Sequence, residues 1–209
     1  MLKNLQALCK YYSIDGTLTM FRPHRPKKEL LADWVIKTAL AENRLKKGQP
    51  VAEITAGNFG IALAEQCRKI GSKLYLVPLG IFNEKVTKKL SNFDNVSIVN
   101  APECRNITAL KNTLDEIISK TGSYSFKQFE NTTQVAFYKQ IIKDNLRGIF
   151  PDAVFEKIGT GATLQAIKEI LERAGKKTRY FIATPSDRKI ETRHLLFNAT
   201  MTIQIYPKD

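Results

Sequence analysis

The chain has 209 residues and a net charge of +13, from 33 basic against 20 acidic side chains. Its 43% hydrophobic and 25% charged content is that of a folded domain or two small lobes, and excludes a disordered chain; no apolar run reaches membrane-spanning length. Three widely spaced cysteines, Cys9, Cys67 and Cys104, make neither a disulfide framework nor a metal-ligand pattern; with no apolar leader, they point to a reducing cytoplasm.

In chain order, a short strand is expected at residues 18–21. A helix over 29–47 follows, because Leu30, Leu31, Trp34, Val35, Thr38 and Ala39 share one face and Gly48 ends it. Residues 51–55 read as a buried strand and 59–70 as a helix closed by Gly71. Cys67 falls on the apolar face of that helix as a small core residue. A strand at 73–78, a helix at 83–90, a strand at 95–99 and a helix at 103–120 closed by Gly122 come next. The second half reads as a helix at 132–146, a strand at 153–158, a helix at 162–174, a strand at 179–184 and a terminal strand at 199–206. Short strands alternating with helices of ten or more residues predict βαβ units, an α/β fold and a mainly parallel sheet.

Ligands of such sheets bind at the carboxyl ends of strands. Two strand-to-helix turns rich in glycine lie at such ends. The first is Glu53-Ile54-Thr55-Ala56-Gly57-Asn58-Phe59-Gly60, the second Gly159-Thr160-Gly161-Ala162-Thr163. A helix start offers unpaired N–H groups and the positive end of the helix dipole to an anion. Gly57 and Gly60 allow a ligand to approach the backbone. Asn58 is either a ligand contact or a cap for the helix it opens. Two such turns suggest a ligand with two anionic ends, or a ligand and a cofactor.

The charge has two readings. Lysine pairs such as Lys46-Lys47, Lys88-Lys89 and Lys176-Lys177 sit near helix ends, where solvated cations suit the dipole. The same excess attracts polyanions, including nucleic acid and phosphorylated ligands. No arginine-rich or aromatic-basic tract marks an RNA-binding motif.

The first turn resembles the E-x-T-S-G-N-T-G loop of pyridoxal-phosphate enzymes of the cysteine synthase and tryptophan synthase β-subunit kind. The second resembles their G-T-G-G-T phosphate loop, and Phe126-Lys127-Gln128-Phe129-Glu130-Asn131 resembles their Q-F-x-N segment. Arg22-Pro23-His24-Arg25-Pro26-Lys27-Lys28-Glu29 falls where the family has N-P-x-x-S-x-K-D-R. Counting back without gaps from Gly48 puts Lys28, with Lys27 as rival, on the lysine that forms the cofactor imine. Four segments in order, over about residues 20–185, make the resemblance specific.

The resemblance implies pyridoxal 5'-phosphate as cofactor and two open, mainly parallel sheets flanked by helices, with the cofactor in a cleft between lobes. It implies a smaller mobile lobe at 50–122 and a larger, shortened lobe of 1–49 plus 123–209. Lys28 is the expected catalytic residue, helped by a helix starting just after it. Asn58 and the loop of Gly159, Thr160, Gly161, Ala162 and Thr163 are expected to hold the cofactor. Thr55, Ala56, Gly57 and Gln128 are expected to hold the substrate carboxylate; no metal is expected.

The chain departs from the family pattern at Ala56, where a serine hydroxyl is lost, at Phe59 for threonine, at Ala162 for glycine and at Glu29-Leu30 for Asp-Arg. It also ends where the family continues, so a homodimer is expected to cover the sheet edge near Ile203, Gln204 and Ile205. The expected function is β-elimination or β-replacement on an amino acid, in the cytoplasm and away from membranes. The charge extends that expectation to an amino acid carried on nucleic acid, with Lys85, Lys88, Lys89 and Lys127 at the cleft mouth. The alternative is a reduced, non-catalytic relative that binds a ligand, a partner or nucleic acid.

Overall fold

The computed structural model describes residues 2–4, 19–21, 24–130, 133–143, 145–146, 148–157, 159–185 and 201–205. Of the residues singled out in the sequence, Cys9, Arg22, Pro23 and Asn131 lie outside these. The chain divides into two compact units, Arg25–Gln128 and the remainder, Met1–His24 with Phe129–Asp209.

The unit Arg25–Gln128 opens with helix α1, Lys27–Ala41. Its start is two residues earlier than the apolar periodicity suggests. Pro26, at φ −52°, precedes the first turn, and its carbonyl accepts the N–H groups of Glu29 and Leu30 at 3.0 and 3.2 Å. Lys28 therefore lies within the first turn rather than before it. The helix also stops earlier than 47, because Asn43 takes the left-handed conformation at φ 56°. Leu31, Ala32, Val35, Ile36 and Ala39 form its buried stripe.

Strand β3, Val51–Thr55, is buried at all five positions. Helix α2, Asn58–Lys69, leads to strand β4, Leu74–Pro78; helix α3, Glu84–Leu90, leads to strand β5, Val96–Ile98. The three strands are parallel in the order β3-β4-β5, with Val51 beside Leu74 and Leu74 beside Val96. Helix α4, Ile107–Thr121, closes with Gly122 at φ 66°. It starts later than 103 because Asn106 caps it, accepting from Thr108 and Ala109 at 2.9 and 3.3 Å. The chain then returns to β3 on the edge away from β4. Tyr124 donates its N–H to Pro50 at 2.8 Å and accepts that of Ala52 at 2.9 Å.

In the other unit, strands β6 (Ala153–Lys157), β7 (Arg179–Pro185) and β8 (Met201–Ile205) are parallel in the order β6-β7-β8. Helices α5, Thr133–Lys143, and α6, Ala162–Arg173, pack on each other, with an ion pair between Lys139 and Glu169. Strands β1, Leu2–Asn4, and β2, Thr19–Phe21, form an antiparallel pair. β1 carries no pattern long enough to be read from sequence. The α/β class, with two open parallel sheets flanked by helices, is the one the alternating pattern and the resemblance predict.

Candidate functional site

The Thr55 hydroxyl shapes the first turn. Its oxygen accepts the N–H groups of Gly57 and Gly60 at 3.1 and 3.2 Å, which leaves its own O–H as a donor. Gly57 sits at φ 132°, a conformation side chains rarely adopt, and a Cβ there would come within 3.0 Å of Val86 on α3. Gly60 has a different task from ligand approach. A Cβ there would lie 2.8 Å from Thr55 Cγ2 and 3.0 Å from Leu76 Cδ1, so this glycine lets α2 lie close on the sheet.

Gly57, not Asn58, is the N-cap of α2, so Asn58 is the first helical residue and does not cap. Its side chain is exposed, as is Ala56, and it has no hydrogen-bond partner among the described residues. Phe59 is buried, and the Nζ of Lys28 lies over its ring, 5.5 Å from the centroid. The unit thus brings Lys28 to the loop 55–59 from a helix some thirty residues away in sequence.

Gln128 is 3% exposed and committed inward, since its Nε2 donates to the carbonyl of Ile54, one residue before Thr55. Its backbone N–H donates to Glu53 Oε1 at 3.2 Å, and that of Phe126 donates to Glu53 Oε2 at 3.0 Å. Glu53 is 1% exposed. Burial pushes its carboxyl up to about 7, against the opposing hydrogen bonds from Gln128, Phe126, Ile54 and Ser125. The sequence reading gave Glu53 no role. Its signal was an acid at the centre of Val-Ala-Glu-Ile-Thr, an otherwise uncharged buried strand.

In the other unit, Gly161 is the N-cap of α6 at φ 81°, and the loop 159–163 forms its entry. Thr160 and Ala162 are buried, Thr163 is half-buried and Gly159 is exposed, with nothing within 4 Å of where a Cβ would stand. Tyr138 of α5 hydrogen-bonds Thr163, and burial pushes its phenol up to about 12. Tyr138 is a second residue the sequence did not single out.

The described N-caps divide into two kinds. Asn83 and Asn106 cap α3 and α4 with their side chains. The N-caps of α1, α2 and α6, which carry Lys28, Asn58 and the loop 159–163, make no side-chain cap. Lys85, Lys88 and Lys89 are exposed on α3, and Lys127 is exposed at φ 48°. At the carboxyl ends of β4 and β5 lies a cavity of about 370 Å³, walled mainly by Pro78, Ile81, Phe82, Ile98, Ala101 and Pro102. Its wall residue Pro78 is the register partner of Thr55, where the loop begins. Among the described residues no group of three or more His, Cys, Asp or Glu is placed to hold a metal, and no helix is long and apolar enough to cross a membrane.

Comparison with known proteins gives concordant matches. An O-acetylserine dependent cystathionine beta-synthase of Bacillus subtilis (strain 168) is 25% identical over 178 residues, covering 83% of this chain and 57% of that protein. An O-ureido-L-serine synthase of Streptomyces lavendulae is 26% identical over 188 residues, covering 88% and 58%. The chain therefore spans under three fifths of the length of these relatives. A crystal structure of O-ureido-L-serine synthase matches with a TM-score of 0.69 at 21% identity, over 85% of this chain and 64% of that one. An O-acetylserine dependent cystathionine beta-synthase from Helicobacter pylori gives 0.70 at 20%, over 86% and 65%. These two likenesses establish the fold. The family described as pyridoxal-phosphate dependent enzyme matches residues 23–198, a span that holds Lys28 and both glycine loops, and the chain belongs to that family.

Proposed function

We propose that this chain binds pyridoxal 5'-phosphate through Lys28 and acts on a serine-type amino acid, eliminating or replacing the group on its β-carbon. The observation that carries this reading is the placement of the Lys28 amine over the ring of Phe59, the residue after the exposed Asn58 in the loop. A primary amine brought to a loop that carries an exposed amide and opens a helix with no side-chain cap is a donor set suited to an aldehyde cofactor with a phenolic oxygen. The loop 159–163 fits the phosphate. It offers first-turn N–H groups with no side-chain cap, the Thr160 and Thr163 hydroxyls, and open space at Gly159. The names of the relatives, synthases dependent on O-acetylserine or forming O-ureido-L-serine, support an O-substituted serine as substrate.

When bound, the cofactor supplies an electron sink for charge at the substrate α-carbon. Lys28 anchors it and moves the proton at that carbon. Asn58 orients the ring through its phenolic oxygen. The Thr55 O–H and the backbone at Ala56 and Gly57 take the substrate carboxylate, with Gln128 fixing that wall. The apolar cavity beside the loop receives the incoming group.

The test is spectroscopic and chemical. The loaded chain should absorb in the visible and be bleached by borohydride, and peptide mapping should find the pyridoxyl label on Lys28. A label on Lys27, or none, overturns the assignment. Acetate release from O-acetyl-L-serine tests the reaction itself. A loaded chain that releases none is the non-catalytic relative instead.

A further inference from the structure

The segment 124–128 begins as a strand beside β3 and then leaves it. The ladder holds at Tyr124, whose backbone bonds Pro50 and Ala52. Two residues on, Phe126 is buried, Lys127 turns to φ 48° and Gln128 is buried again. Buried N–H groups need acceptors, and here the backbone of β3 no longer supplies them. Side chains replace the ladder. Glu53 Oε2 accepts from Phe126 N at 3.0 Å and Ser125 Oγ at 3.4 Å, and Oε1 accepts from Gln128 N at 3.2 Å. Gln128 Nε2 closes the link by donating to Ile54.

We propose that Glu53 is a positioning residue: its buried carboxyl fixes the segment 125–128, and with it Gln128, against the strand that ends in the loop 55–58. The carboxyl does this without a cation partner, since it makes no ion pair among the described residues. The titratable group of the flanking segment coupled to it is Tyr124, which bonds Arg44; Arg44 in turn pairs with Glu42. Its register partner on β4 is Leu76, and α4, which packs on β3, buries Leu110, Leu114 and Ile117. Burial in the unit disfavours the charge, whereas the N–H and O–H donors of the segment favour it, so the docked segment partly offsets the loss of hydration. The neutral acid is still satisfied, because Ser125 Oγ can accept its O–H while the two backbone N–H groups keep their bonds.

In either form the acid keeps the two backbone N–H groups bonded, so its acceptor oxygens, not its titration, fix the segment. The role of Gln128 toward a substrate carboxylate rests on the function proposed above; the role of Glu53 toward Gln128 does not.

Hydrogen exchange on the full chain separates the two. In Glu53→Gln the Phe126 and Gln128 amides should lose protection about tenfold relative to the β4 amides, because the Gln side chain turns a donor toward an N–H. Fast exchange of these two amides in the native protein, a measurement that needs no variant, overturns the proposal, as does full protection in Glu53→Gln. L-serine binding to the cofactor-loaded chain forms the second arm. It should weaken in the variant. Lost protection in the variant, with no serine binding by the native chain, leaves Glu53 in its role and sinks the substrate assignment.

Discussion

A single carboxyl at the centre of β3 shows how the burial of one group reaches the behaviour of the whole chain. Charge-assisted hydrogen bonds to Glu53 are stronger than neutral ones, yet they do not offset the loss of hydration, and its carboxyl is raised from 4.5 to about 7. The folded acid therefore holds its proton to higher pH than the unfolded one, and folding takes up a proton between these values. Stability from this group is fully present below about pH 4.5 and is lost as pH rises through 7, by on the order of 3 kcal/mol. Urea unfolding should accordingly show a lower midpoint at pH 8 than at pH 5.5. In Glu53→Gln that difference should shrink, although the variant is weaker at both pH values through its mispaired N–H. An undiminished pH slope in the variant would assign the effect to other groups.

Between elements, the decisive contact is α2 on the sheet at Gly60. A methyl group there meets Thr55 Cγ2 at 2.8 Å and Leu76 Cδ1 at 3.0 Å. Thr55 cannot yield without releasing the N–H groups of Gly57 and Gly60 that its hydroxyl holds. Gly60→Ala should cost about 1–3 kcal/mol through overpacking and lower cofactor affinity in the same variant, read by thermal unfolding and by absorbance titration. A stable variant with normal uptake would show that α2 can slide on the sheet. This contact also marks where sequence reasoning stopped. The strand, the helix and the glycines between them were legible from periodicity and turn chemistry. The purpose of Gly60 was not, because it depends on Leu76, a residue of the next strand. Glu53 was passed over for a related reason: its acceptor role depends on N–H groups more than seventy residues away. Helix boundaries moved where a local residue outranked the apolar period, with Pro26 starting α1 early, Asn43 ending it early and Asn106 delaying α4.

For the molecule as a whole, charge and apolar exposure pull in opposite directions, and the balance gives an association prediction with a definite salt signature. Phe155 on β6 is 59% exposed and stacks on Phe181 of β7 at 4.7 Å between centroids. Parallel sheets are usually buried on both faces, and large exposed aromatics on a strand favour a partner surface. A second copy of the chain is the partner always at hand, and we predict self-association through this surface. A net charge of +13 opposes it, because two such copies repel at long range. Salt shortens that repulsion to about 8 Å at physiological strength and leaves the apolar contact intact. The association constant should therefore rise with salt, whereas binding of a phosphorylated ligand to the same basic chain should weaken. Sedimentation at 50 and 500 mM salt reads the first, and cofactor titration reads the second. Phe155→Glu should reduce association while leaving cofactor uptake intact, since the residue lies outside the loop 159–163. A native chain that stays monomeric at high concentration and high salt would refute the prediction.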